Sequence, residues 1–167
     1  CNVICTDKTG TLTQNKMAIK HIFTYQKLVE NFNEPNPALE KLYLAISLCN
    51  NATVSDDQNI VGDATETAML SHLLKHAPLF VSKRQNFERK KEFAFDSNRK
   101  IMSTINKTEN GYEMFCKGAL DYILPRCKSV LINGNIEPLT PFRESQILTQ
   151  VKVLTENAER VLGVAQK

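Results

Sequence analysis

The sequence predicts an α+β fold, an antiparallel β-sheet flanked by helices. Three observations carry this reading. Capped amphipathic segments at residues 37–49 and 64–77 predict two helices in the first half. From residue 91 onward the pattern changes to short apolar runs divided by turn signals: residues 96–99, Asn110-Gly111 and Asn133-Gly134. A last helix opened by Pro141 precedes a final apolar run at residues 160–165.

With 167 residues, a single domain with a real core is the default. No apolar run approaches the ~18–20 residues that span a bilayer, and no signal peptide precedes Cys1. A buried-looking strand at the start and the apolar run at the end suggest a piece of a longer chain, whose membrane part, if any, lies elsewhere. A net charge of +3 is too mild to imply nucleic acid as a partner. Residues 83–92 hold five cations interrupted by Glu88 and Glu92, a pattern that reads as a solvated helix face. The five cysteines lack C-x-x-C spacing and predict reduced thiols in a cytosolic setting. His72 and His76 share a helix face, but no Glu follows His72 and His21 is distant, so a metal pair is disfavoured.

Taken in order, residues 16–25 are β-formers without helical spacing and predict an extended segment. Asn36 can cap a helix with Pro37 at its first position and Leu39, Leu42, Tyr43, Ile46 and Cys49 on its apolar face. Residues 50–62 are polar and read as a loop. Asp63 then caps a helix, with Glu66 completing a capping box, Leu70, Leu73, Leu74 and Ala77 inward, and Pro78 as the stop. Residues 93–95 predict a strand, 96–99 its turn and 101–105 the return; 112–117 form another strand. The two Asn-Gly pairs favour type I′ turns. In the last helix Ile147, Val151, Leu154 and Ala158 are expected to face inward.

The standard glycine-rich phosphate cradles are absent, so a nucleotide would have to lie on a sheet surface. Phe95 could stack on a base, Lys100 and Lys117 could supply charge, and Gly118 would allow close backbone approach. Each also has an ordinary structural explanation: a core ring, a turn solvator, a strand terminus. At the other end of the chain, Val3-Ile4-Cys5 reads as a strand that delivers Asp7 into a Lys-Thr-Gly turn. A carboxylate just beyond a strand end can attack phosphorus, with Lys8 offsetting charge and Thr9 offering a hydroxyl. A polar turn holding an Asp explains the same residues.

Asp7-Lys8-Thr9-Gly10-Thr11, extended by Leu12-Thr13-Gln14-Asn15-Lys16-Met17, resembles the phosphorylation motif of the P-type ATPases, especially the group that includes the calcium pumps. Further matches run almost to Lys167. Gly62-Asp63-Ala64-Thr65-Glu66 resembles the family's G-E-A-T-E motif, whose acidic residues hold the adenine and ribose side of ATP; Asp63 replaces the usual Glu and reaches less far. Phe95-Asp96-Ser97-Asn98-Arg99-Lys100 resembles the segment whose Phe stacks on adenine and whose Lys reaches the phosphates. Lys117-Gly118-Ala119 looks like the K-G-A motif at the bottom of the pocket, and Arg160 like a late arginine near the phosphate or ribose. Ser97 stands where the muscle calcium pumps carry an arginine, and Ala158 where a glycine usually precedes the late arginine.

The resemblance implies two parts: residues 1–15 as a phosphorylation-domain strand and motif, and 16–167 as a nucleotide-binding domain. It implies that ATP is the substrate, that Asp7 takes the γ-phosphoryl, and that Mg²⁺ is held by Asp7 and Thr9 in a complete phosphorylation domain. It implies phosphorylation, actuator and transmembrane domains of the same parent chain as partners, and calcium as the first guess for the ion. The family's later G-D-G motif and its lysine are missing from this chain. Two other functions fit the sequence less well. A free phosphatase with an aspartate nucleophile needs a second Asp two positions on, where this chain has Thr9. A regulatory module without chemistry would require all the matching segments to be accidental.

Overall fold

The computed structural model describes residues 16–167 apart from 26, 30, 31, 33 and 35. The opening strand and the motif around Asp7, Lys8 and Thr9 therefore lie outside the described residues.

The centre is a four-stranded antiparallel sheet made of β5 (Arg89–Phe93), β6 (Ile101–Thr108), β7 (Gly111–Ala119) and β10 (Leu162–Gln166), in the order β10-β7-β6-β5. Three two-stranded ribbons surround it: β1 (Phe23–Thr24) with β2 (Lys27–Leu28), β3 (Thr53–Val54) with β4 (Ile60–Val61), and β8 (Ser129–Ile132) with β9 (Asn135–Pro138). The helices are α1 (Pro37–Leu48), α2 (Ala64–His76), α3 (Pro78–Lys83), α4 (Leu120–Ile123) and α5 (Pro141–Glu156). This is the antiparallel α+β architecture expected from the sequence.

Helix α1 begins where the Asn36 side chain accepts the N–H groups of Ala38 and Leu39 and Pro37 takes the first position. Its Leu39, Tyr43 and Ile46 pack against Met69 and Leu73 of α2, with Leu162 and Val164 of β10 adjoining. Farther along, Ala45, Leu48 and Cys49 pack on Met102 and Phe115 of the sheet, and Phe115 is wholly buried. Helix α4 approaches from β10, where Leu120 and Ile123 lie against Gly163. Apolar burial on this scale, at about 25 cal/mol per Å², anchors β6 and β7 and leaves β5 as an exposed edge.

Several sequence expectations shift. Strand β5 covers Arg89–Phe93 rather than 93–95. The Asp96 carboxylate accepts the N–H groups of Asn98 and Arg99, while the Arg99 guanidinium takes the carbonyls of Phe93 and Ala94. Those bonds draw the chain off the sheet before Phe95. The cations at 83–92 do not form a helix face: α3 ends at Lys83, β5 starts at Arg89, and Arg84 and Arg89 point at backbone carbonyls. The β6–β7 hairpin reverses one residue early, with Thr108 opposite Gly111 and the Thr108 hydroxyl accepting the Asn110 N–H. Only Gly111 there takes a positive φ, 108°. Asn133 and Gly134, at φ 49° and 86°, do form the two-residue turn of primed type between β8 and β9. Leu74 is exposed, and Ala68, Met69 and His72 carry the buried face of α2 with Leu70 and Leu73.

Ala158 does not extend the inward stripe of α5. The helix ends at Glu156; the Ala158 N–H bonds to Thr155 and the Glu159 N–H to Leu154, with Ala158 at φ 58°. That is a Schellman ending, whose left-handed position glycine fills most easily. An alanine therefore holds a glycine conformation in front of Arg160.

Candidate functional site

The alternating strand directions gather one end of the sheet. The end of β5, the start of β6, the end of β7 and the start of β10 all lie along the same edge, since Ile101 pairs with Gly118 and Leu162 with Ala119. Five proposed nucleotide contacts, Phe95, Lys100, Lys117, Gly118 and Arg160, belong to segments that reach this edge.

Phe95 follows the end of β5 with 59% of its surface exposed, which leaves its ring open to a stacking partner. Lys100 sits at φ 53° just before β6, its N–H bonded to the Asp96 carbonyl. Its ammonium lies 5.2 Å from the centre of the Tyr122 ring, a cation–π contact that sequence reading did not anticipate. Gly118 is buried; a Cβ there would collide with the Lys100 carbonyl and come within 2.8 Å of Ile101 Cα. That carbonyl also accepts the Ala119 N–H at 3.0 Å, so glycine is required for the two backbones to meet.

Glu66 and Lys117 are brought together from helix and sheet. The Lys117 ammonium donates to Glu66 Oε1 at 2.6 Å, with 8% and 12% of the two side chains exposed. The capping-box role expected of Glu66 is thereby corrected: Asp63 caps α2 through the Thr65 N–H, while the Glu66 carboxylate is drawn to the buried lysine. Asp63 itself is exposed. Arg160 is exposed two residues ahead of β10. Cys49 neighbours the pair, and burial pushes its thiol up to about 11 even though Lys117 acts in the other direction. It is thus a protonated, unreactive side chain at neutral pH.

This site is built on one end of the sheet. A groove of about 460 Å³ lies between Phe23 and the Ser145, Gln146, Thr149 and Gln150 face of α5, and its lining offers no cation for a phosphate. His72 is committed to Tyr43, whose hydroxyl lies 3.2 Å from its Nε2, and no cluster of three potential metal ligands occurs among the described residues. Asp7, Lys8 and Thr9, proposed for catalysis and for Mg²⁺, lie outside the described residues.

Sequence reading missed the residues that hold this edge in place. Arg84 and Arg89 converge on the loop after α1, and Arg99 braces the turn below Phe95. Their charge was the visible signal, but nothing in its spacing told a carbonyl clamp from a solvated surface.

The family model of the cytoplasmic N domain of P-type ATPases matches residues 38–167. The chain belongs to the P-type ATPases. It is 38% identical over 167 residues to the calcium-transporting ATPase 1 of Lactococcus lactis, covering 99% of this chain and 19% of that protein. It is 41% identical over 170 residues to the calcium-transporting ATPase 1 of Bacillus cereus, again 99% of this chain and 19% of that protein. The potassium-transporting ATPase alpha chain 1 of Xenopus laevis is 30% identical over 184 residues, covering 97% of this chain and 18% of that protein. The chain therefore spans about a fifth of the length of these relatives. No described helix is long and apolar enough to cross a membrane.

Proposed function

We propose that residues 16–167 form the nucleotide-binding domain of a cation-transporting P-type ATPase and that residues 1–15 carry its phosphorylation strand. The observation that carries this reading is the gathering of Phe95, Lys100, the Lys117–Glu66 pair and Gly118 at one sheet edge in a chain of this family. ATP lies with its base on the exposed Phe95 ring, worth roughly 1–3 kcal/mol by stacking. Asp63 and Glu66 face the adenine and ribose side. Lys117 and Gly118 form the floor, and Lys100 and Arg160 turn cationic groups toward ribose and phosphates.

The domain then delivers the γ-phosphoryl group to Asp7. A carboxylate oxygen of Asp7 bonds to phosphorus, the bond to the ADP oxygen breaks, and the aspartyl-phosphate is later hydrolysed. Asp7 and Thr9 would hold Mg²⁺, which would supply charge neutralisation at the phosphates. Lys8 adds a cation beside the nucleophile, and Thr9 a hydroxyl. The remaining parts are the phosphorylation, actuator and transmembrane domains of the same parent chain, and the cycle moves a cation across the membrane. Calcium is the proposed ion, supported by two relatives named calcium-transporting.

Titrating ATP against the amide resonances of the 167-residue chain tests the binding site. A dissociation constant of about 0.1–10 mM is expected, with Phe95, Lys100 and Lys117 among the shifted residues. In the full-length parent, radiolabelled MgATP should give an acid-stable phosphoenzyme, and Asp7→Asn should abolish label and transport while nucleotide still binds. Turnover by the Asn variant would overturn the mechanism.

A further inference from the structure

We propose that Asn50 is a positioning residue of the nucleotide site that acts through Glu66; this rests on the reading of Glu66 and Lys117 given above. Asn50 lies just past the end of α1 and is 1% exposed. Both ends of its side chain are engaged. Oδ1 accepts the Ala52 N–H at 2.8 Å, and Nδ2 donates to the Glu66 carbonyl at 3.1 Å. Its own carbonyl accepts from two guanidiniums, Arg84 and Arg89, the latter at 2.8 Å. Arg84 also bonds the Ala52 carbonyl at 3.1 Å, and Arg89 the Leu48 carbonyl at 2.7 Å.

Two half-buried arginines on one loop are more than a turn needs. What they immobilise is an amide that grips the first turn of α2. Ala52, wholly buried, meets the start of the same helix through Gly62, where a Cβ would stand only 3.0 Å away. Beyond its own helix, Glu66 is thus held at its carbonyl by Asn50 and at its carboxylate by Lys117. The distance between helix and sheet floor is set at both ends of one residue, and with it the place of the carboxylate that faces the base. A buried network with every member satisfied rigidifies in this way.

The test uses two variants of the 167-residue chain. Asn50→Ala removes both side-chain bonds. Asn50→Asp keeps the size and the acceptor for Ala52 but sets an oxygen that repels the Glu66 carbonyl in place of the donor to it, so it reverses that one contact and serves as the second variant where the alanine variant fails to fold. Adenosine and ATP are titrated by NMR with the folded fraction measured alongside, and the Lys117 ammonium nitrogen resonance is followed. Loss of one hydrogen bond's worth of positioning should weaken both ligands about three- to tenfold per folded molecule. The uncharged adenosine should be affected as much as ATP, and the Lys117 resonance should move. Unchanged affinity and an unmoved Lys117 resonance, with stability alone reduced, would show a plain loop clamp and overturn the proposal. Glu66→Gln and Lys117→Ala serve as references. If neither alters nucleotide binding, the reading of the site itself falls and the proposal with it. If both do and the Asn50 variants do not, the proposal alone falls.

Discussion

The ammonium of Lys117, near the end of the inner strand β7, is bonded at 2.6 Å to the carboxylate of Glu66 from the first turn of α2. Both side chains are almost out of solvent, so each charge depends on the other. Lys117→Ala should cost about 3 kcal/mol, because it strands a buried carboxylate. Combining Glu66→Leu with Lys117→Met should recover most of that loss, since an apolar pair of similar volume carries no desolvation cost. The double variant should still fail to bind ATP. Urea unfolding of the single and double variants, with ATP titrations alongside, checks both statements.

Phe95→Ala separates binding from stability. The ring is more exposed than covered, so its removal should change unfolding free energy by no more than about 0.5 kcal/mol. ATP and ADP should both weaken by about 1–3 kcal/mol, because stacking involves the base and not the γ-phosphate. Lys100→Ala should weaken ATP in a salt-dependent way, as a charge contact is screened and a stacking contact is not. Equal salt dependence for the two variants would contradict these roles.

His72 makes the fold sensitive to acid. Burial, reinforced by the charges of His76 and Lys75, holds its imidazole down at about 4, whereas an unfolded histidine titrates near about 6.5. As pH falls through that window the unfolded chain takes up the proton first. Stability should therefore decline between about pH 6.5 and 4, by about 3 kcal/mol in total, and this contribution should be flat above it. Denaturant midpoints measured from pH 4 to 7 should show the slope, and His72→Phe should flatten it.

Ala158→Gly should stabilise the protein. At φ 58° an alanine pays for a left-handed backbone, and glycine does not. The gain is about 0.5–1 kcal/mol after allowing for the greater freedom of glycine in the unfolded chain. A chain of this size should then melt about 1–4 °C higher, as calorimetry would show.

Local signals placed the starts of the three longer helices, α1, α2 and α5, but not α3, which Pro78 opens rather than merely ending α2, nor α4. Asn36-Pro37, Asp63 and Thr140-Pro141 each start a helix, because a side chain that accepts orphan N–H groups acts within three residues of itself. The Asn133-Gly134 turn was legible for the same reason. The ends of strands were less so. Where β5 stops depends on Arg99 reaching back to two carbonyls, and where β6 turns depends on a threonine hydroxyl.

By itself the sequence determined the fold class, the starts of α1, α2 and α5, the family resemblance and the residue types offered to a nucleotide, because these follow from short-range patterns and motifs. Tertiary structure decided which of those residues meet. Glu66 and Lys117 are fifty-one positions apart, and only the packing of α2 on the sheet turns a capping residue into the partner of a buried lysine. Likewise Arg84 and Arg89 of the basic run at 83–92 became a clamp on the loop of Asn50 because the loop after α1 presents carbonyls there, while the three lysines stay exposed. A charge pattern records which groups are available; the geometry of distant backbone atoms sets what they hold.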